Sequence, residues 1–128
     1  MKASTHHTVN TIRYTYHELR LLQEQVELQK AIIAAETQLK HLLDGLGKDS
    51  LSGITSEEQV LVHRAGICRE RLKRVQQGLR RIRDGTFGMC SNCENPIGNT
   101  RLHAIPSTPY CIECQSNFER RRAGVYIR

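Results

Sequence analysis

The chain has 128 residues, of which 38% are hydrophobic and 5% aromatic, with no Trp. That stock of side chains is too thin for a large globular core, but it suits long amphipathic helices carrying one small module. Nineteen basic against thirteen acidic residues give a formal charge of +6, which favours an acidic partner without naming one, and no apolar run reaches the roughly 18 residues of a membrane span.

Residues 1–11, MKASTHHTVNT, show no helical or strand period and read as a flexible polar end. From Ile12 to Leu43 the pattern is helical, without Gly or Pro. Leu21, Leu28, Ile32, Ala35, Leu39 and Leu42 recur in steps of three and four if Gln25 is admitted, and Leu19, Leu22, Val26 and Ile33 form a second row that widens the stripe. Asp44-Gly45-Leu46-Gly47 ends the helix, since glycine readily takes the left-handed conformation that closes one.

Residues 44–55 form a turn-rich loop, and Thr55-x-x-Glu58 reads as a capping box that opens the next helix. That helix runs to about Arg83, with Leu61, Ala65, Cys68, Leu72, Val75, Leu79 and Ile82 in one seam; Asp84-Gly85 stops it. Cys68 belongs to the seam as a small apolar residue. Two helices of roughly 40 Å, joined by a short loop and matched in period, are expected to fold back as an antiparallel coiled-coil hairpin over residues 12–84, with loop 44–55 as its tip.

Between Arg64 and Arg83 eight cations face one acid, Glu70. The outer face of a coiled coil is often simply solvated; here the one-sided sign makes an acidic contact surface an equal reading.

Residues 85–128 carry the module. Cys90/Cys93 and Cys111/Cys114 form two Cys-x-x-Cys pairs separated by seventeen residues. A two-residue spacer lets both sulfurs of a pair turn toward one point, and the separation is that of a four-cysteine zinc ribbon. Gly, Pro and Asn between the pairs predict knuckle turns, not a helix. A disulfide framework needs an oxidising compartment, and the N-terminal residues have no signal-peptide character. A thioredoxin-like pair needs a βαβ context that is missing, and iron–sulfur spacings differ. With four sulfur ligands no coordination position is left open, so one structural Zn²⁺ per chain is expected. Four thiolates and one Zn²⁺ add −2 and leave a net charge of about +4. Gln115–Arg122 reads as a short C-terminal helix with Phe118 against the metal module. Arg120-Arg121-Arg122 and Arg128 make this end basic.

A helical hairpin leading into TFGMCSNCENPIG and RLHAIPSTPYCIEC resembles the DksA/TraR family of bacterial RNA polymerase-binding regulators. The matching residues are Phe87-Gly88, the Cys90/Cys93 pair, Ile97-Gly98, Arg101-Leu102, Ala104, Pro106 and the Cys111/Cys114 pair. With the register of the second helix, the resemblance covers about residues 12–120. It implies a protein that inserts its coiled coil into the secondary channel of RNA polymerase. The tip then approaches the active site and alters open-complex stability without reading a DNA sequence.

Better-known members carry an acidic tip motif, Asp-x-x-Asp-x-Ala. Ungapped counting from the zinc module places its named positions at Gly47, Ser50 and Ser52, with Asp49 the nearest acid. Some relatives also bind guanosine tetraphosphate between their base and polymerase. Of the positions carried over, Arg74 keeps a cation, whereas Ile105 and Gln115 stand where those members have Arg and Lys. Each lost charge-assisted hydrogen bond is worth about 1.5–3 kcal/mol, so alarmone binding there is expected to be weak.

The expected function is that of a cytoplasmic, monomeric, zinc-stabilised regulator of transcription initiation that binds RNA polymerase. Asp49, Ser50 and Ser52 would face the polymerase active site, and Arg74, Arg101, Arg120 and Arg121 are candidate polymerase or phosphate contacts. The alternatives are a zinc-ribbon nucleic-acid-binding protein that uses the basic second helix and C-terminus, and a protein-interaction adaptor. No catalytic constellation, open metal site or phosphate-cradling glycine loop points to an enzyme.

Overall fold

The computed structural model describes residues 3–45 and 55–126, with side chains described over 14–45 and 55–124. The tip positions Gly47, Asp49, Ser50 and Ser52 lie outside the described residues. The described residues form four helices: α1 (Ala3–Gly45), α2 (Ser56–Asp84), α3 (Asn99–Ala104) and α4 (Ile112–Tyr126). Among them β-pairing is limited to a bridge between Met89 and Pro96. The protein is mainly α, an antiparallel helical hairpin followed by a four-cysteine module and a C-terminal helix. No helix among the described residues is long and apolar enough to cross a membrane.

Three element boundaries differ from the sequence expectation. α1 begins at Ala3, not at Ile12, because residues 3–11 contain no Gly or Pro to interrupt it even though they lack a period. α4 spans Ile112–Tyr126 and so takes Cys114 into its first turn, with Cys111 immediately before it. The stretch between the pairs holds a six-residue helix, α3, where turns alone were expected. Leu102 supplies the reason: its side chain is buried, and one helical turn is the local geometry that delivers it inward.

The chain divides into two compact bodies, one of Met1–Leu22 with Arg74–Arg128 and the other of Gln23–Lys73. In the second body α1 and α2 pair antiparallel. Ala35, Leu61 and Ala65 form its buried cluster, with Leu39 and Leu42 packed against it. Arg69 is paired with Glu36, while Arg71 donates to Glu24 at 3.2 Å, so as the α2 number rises the α1 number falls. These bridges are exposed and contribute little on their own.

The capping box is present. Thr55 N donates to Glu58 Oε2 at 2.8 Å, and Glu58 N donates to Thr55 Oγ1 at 3.2 Å. Two backbone donors that the first turn would otherwise leave open are thereby satisfied. Thr55→Ala is expected to cost about 1 kcal/mol in urea unfolding, and an unchanged midpoint would remove the box from the account of how α2 starts.

The second apolar row of α1 is a correction. Leu28 and Ala35 are buried and Ile32 half-buried. Leu19, Leu22, Val26 and Ile33, however, are 61%, 42%, 47% and 63% exposed. Leu22, Val26 and Ile33 each lie one residue from the seam, about 100° around the helix, and Leu19 lies two residues from Leu21; a single partner helix covers only one row.

In the first body, Leu21 is fully buried, and a Cβ added at Gly78 would come 3.3 Å from Leu21 Cδ1. α1 and α2 thus pack closely here because residue 78 has no side chain. Tyr14 and His17 set their rings on the buried Phe87, with centroids 5.0 and 5.7 Å away. Tyr16 stacks on His103 at 5.3 Å, and Arg20 donates to the His103 carbonyl.

Candidate metal centre

α2 ends at Asp84, and Gly85 follows at φ 78°, the left-handed closure anticipated there. Gly88 has φ 85°, and a Cβ there would meet Leu102 Cδ1 and Tyr14 Oη, each at 3.3 Å, so both backbone angle and space require glycine. The chain then reverses. Ile97 N donates to Gly88 O and Cys90 N to Asn95 O, both at 2.8 Å, and Glu94 takes φ 63° to make the tight turn after Cys93. This knuckle presents Cys90 and Cys93.

The second pair is placed by α4. Cys111 immediately precedes the helix, and its Sγ accepts from Cys114 N at 3.4 Å, the role of a capping side chain. The helix N-terminus also favours negative charge on that sulfur. Ser91 N donates to Pro109 O at 2.8 Å and joins the two knuckles. Arg101 donates through Nε to Tyr110 O at 3.0 Å and through Nη2 to Thr108 Oγ1 at 3.3 Å, which fixes the segment leading into Cys111.

The four sulfurs lie within 4.8 Å of one another. Cys93 Sγ and Cys111 Sγ are 3.8 Å apart. Sulfurs at tetrahedral corners about 2.3 Å from a metal are separated by about 3.8 Å, whereas a disulfide needs about 2.05 Å. Cys90 and Cys114 are buried, Cys111 is half-buried and Cys93 is exposed.

Burial pushes the Cys90 thiol up, but backbone N–H groups of Cys93, Cys111 and Asn92 outweigh it and bring the group down to about 6. At Cys114 the Asn92 amide favours the thiolate. The adjacent Cys111, burial and the other two cysteines oppose it and push the thiol up to about 12. The quartet therefore resists carrying four negative charges alone, and a divalent cation at its centre removes that repulsion. An all-sulfur tetrahedron excludes Ca²⁺ and Mg²⁺, which take oxygen ligands, and fits zinc.

Of the basic residues singled out from sequence, Arg74, Arg101 and Arg121 line one cleft of about 660 Å³, together with Ile105, Gln115 and Phe118. Arg120 is not among them; it lies with Ile112, Glu113, Ser116 and Asn117 along α4. Arg122, which the sequence marks only as part of the basic C-terminal run, joins the cleft. Phe118 packs its ring on Tyr110 at 4.8 Å, as anticipated for the last helix.

Two features escaped sequence reasoning. Asn92 Nδ2 donates to Cys114 Sγ at 3.3 Å, and Arg81, half-buried, reaches Ser107 O at 3.4 Å. A polar residue between two zinc cysteines is the only sequence trace of the first; the second sits inside a run of arginines that gives no hint which one turns inward.

Residues 85–120 match the model of the prokaryotic dksA/traR C4-type zinc finger. The RNA polymerase-binding transcription factor DksA of Caulobacter vibrioides is 40% identical over 53 residues, and that of Escherichia coli is 32% identical over 75. The solved structure of transcription factor DksA2 from Pseudomonas aeruginosa superposes with a TM-score of 0.72 at 25% identity, covering 84% of each chain.

The chain belongs to the DksA/TraR family.

An uncharacterized protein of Aquifex aeolicus is 30% identical over 117 residues, covering 84% of this chain and 77% of that one. The chain spans between about a third and half of the curated DksA proteins it matches, 37% of the Caulobacter protein and 50% of the E. coli protein. The family match, a C4-type zinc finger, and the sulfur geometry coincide on Cys90, Cys93, Cys111 and Cys114, the four residues that could hold a metal ion.

Proposed function

We propose that this protein is a cytoplasmic transcription regulator that binds RNA polymerase through the secondary channel and modulates initiation. One structural Zn²⁺ per chain braces residues 85–120. The observation that carries the reading is the dksA/traR-type four-cysteine centre at the end of an antiparallel helical pair. The zinc has no catalytic part, because four cysteines fill its coordination and no position remains for water or substrate. This protein acts as a monomer and not as an enzyme.

The cleft lined by Arg74, Ile105 and Gln115 supports the further reading that guanosine tetraphosphate is held weakly. Arg74 is one of its cations, Arg101 already donates to Tyr110 O and Thr108 Oγ1, and two carried-over positions are uncharged. Arg121 and Arg122 add positive charge on the α4 side and suit an acidic protein surface or a phosphate. Arg120 is a contact only if the partner reaches past the cleft along α4.

The test is binding of the zinc-loaded protein to purified core polymerase of its host, challenged with a DksA protein. Competitive, DNA-independent binding is expected. Failure to bind at moderate salt, with DNA still bound and released steeply as salt rises, would favour the nucleic-acid reading instead. The loop at 44–55 is proposed as the tip, with Asp49 its acting carboxylate and Ser50 and Ser52 beside it. Asp49→Asn is expected to abolish the effect on open-complex lifetime while polymerase affinity changes less than threefold. Normal regulation by that variant would remove the carboxylate from the mechanism.

A further inference from the structure

We propose that Asn92 is a positioning residue of the metal centre, whose side-chain amide holds the Cys114 thiolate and keeps zinc from being stripped. The inference rests on the reading of the four cysteines as a zinc site.

Each sulfur of the quartet has a nearby N–H, but the donors differ in kind. Cys90 is faced by the backbone N–H groups of Cys93 and Asn92 in its own knuckle and of Cys111 in the other pair, and Cys93 by that of Asn95. Cys111 Sγ receives Cys114 N at 3.4 Å. The donor to Cys114 is a side chain, Asn92 Nδ2 at 3.3 Å. Three ligands are thus tuned by the fold itself, and the fourth by one replaceable residue.

Its placement is specific. Asn92 sits between Cys90 and Cys93 in the first knuckle, while Cys114 is buried in the first turn of α4. The bond therefore crosses from one cysteine pair to the other, alongside the backbone link from Ser91 N to Pro109 O. Asn92 is itself exposed, so desolvation does not force its amide onto the sulfur. Four thiolates around Zn²⁺ leave an excess of two negative charges, and an N–H donor draws charge from the sulfur it meets. A thiolate so held is less basic and a poorer nucleophile toward electrophiles that would pull it off the metal.

The experiment uses the full chain with Asn92→Ala and Asn92→Asp. Zinc affinity is measured by competition with a chelator of known constant, and the thiolate-to-metal charge-transfer band is recorded on the cobalt(II)-loaded protein. Asn92→Ala is expected to hold zinc about tenfold less tightly, the low end for losing an outer-shell partner. Its band should move to lower energy, because an unbonded thiolate gives up electron density more easily. Asn92→Asp keeps the size but offers no N–H, and should lose at least as much.

Wild-type affinity in either variant overturns the proposal. So does weaker affinity with an unmoved band, which would assign Asn92 to the shape of the knuckle. If the unsubstituted protein fails to take up one zinc, or its cobalt form lacks a tetrathiolate spectrum, the zinc reading falls and this inference with it.

Discussion

Stripping the zinc with a strong chelator, or replacing Cys90 by Ser, is expected to unfold residues 85–120 while α1 and α2 stay paired within residues 23–73. The buried side chains of the zinc module are Phe87, Cys90, Ile97, Leu102, Pro106, Thr108 and Cys114, two of them cysteines of the quartet and one a polar threonine. Three large apolar residues and one β-bridge cannot offset the conformational entropy of a stretch this long. Structural zinc supplies about 10–16 kcal/mol of apparent binding free energy at neutral pH, and in small modules that is folding free energy. The second body has no such dependence, because its core of Ala35, Leu61 and Ala65 contains no metal ligand. Acid should act in the same direction as the chelator: each proton taken by a thiolate removes a ligand, so zinc affinity falls as pH falls. Amide hydrogen exchange on the chelated protein decides the matter. Protection retained across 85–120 without metal would show that the module folds on its own contacts.

Much of this architecture was legible in the sequence because it is written in local chemistry. The Thr55/Glu58 box, the Gly85 closure and the two Cys-x-x-Cys pairs each involve residues a few positions apart, and each is found where spacing placed it. What the sequence obscured depends on which neighbour arrives from elsewhere in the chain. Leu22 and Val26 are as apolar as Leu21 and Leu28, and only the position of α2 decides which row is covered. α3 hid behind Gly98, Asn99 and Thr100, whose turn propensity is overridden once Leu102 is buried and Arg101 is tied to Tyr110 and Thr108. Arg120, Arg121 and Arg122 are indistinguishable as a run. On a helix they lie about 100° apart, which is why Arg121 and Arg122 enter the cleft and Arg120 does not.

The division between covered and uncovered rows has a consequence large enough to measure. Leu21→Ala is expected to lower stability by about 2–5 kcal/mol, since a fully buried side chain is removed and its neighbours cannot wholly close the cavity. Ile33→Ala, at a residue 63% exposed, should stay within about 0.5 kcal/mol, although the sequence pattern alone treats the two as equals. Gly78 sharpens the test. A Cβ there would approach Leu21 Cδ1 to 3.3 Å, so in the unsubstituted protein Gly78→Ala sets a helix-propensity gain of about 1 kcal/mol against crowding. Once Leu21 is Ala the crowding is gone and the new methyl enters the vacated space. Gly78→Ala should then recover part of the loss, with a coupling of about 0.5–3 kcal/mol between the two positions. Urea unfolding of the zinc-loaded protein and the three variants closes the cycle. Additive effects would mean that α1 and α2 do not meet at Leu21 and Gly78, and the register that links every other contact between them would have to shift.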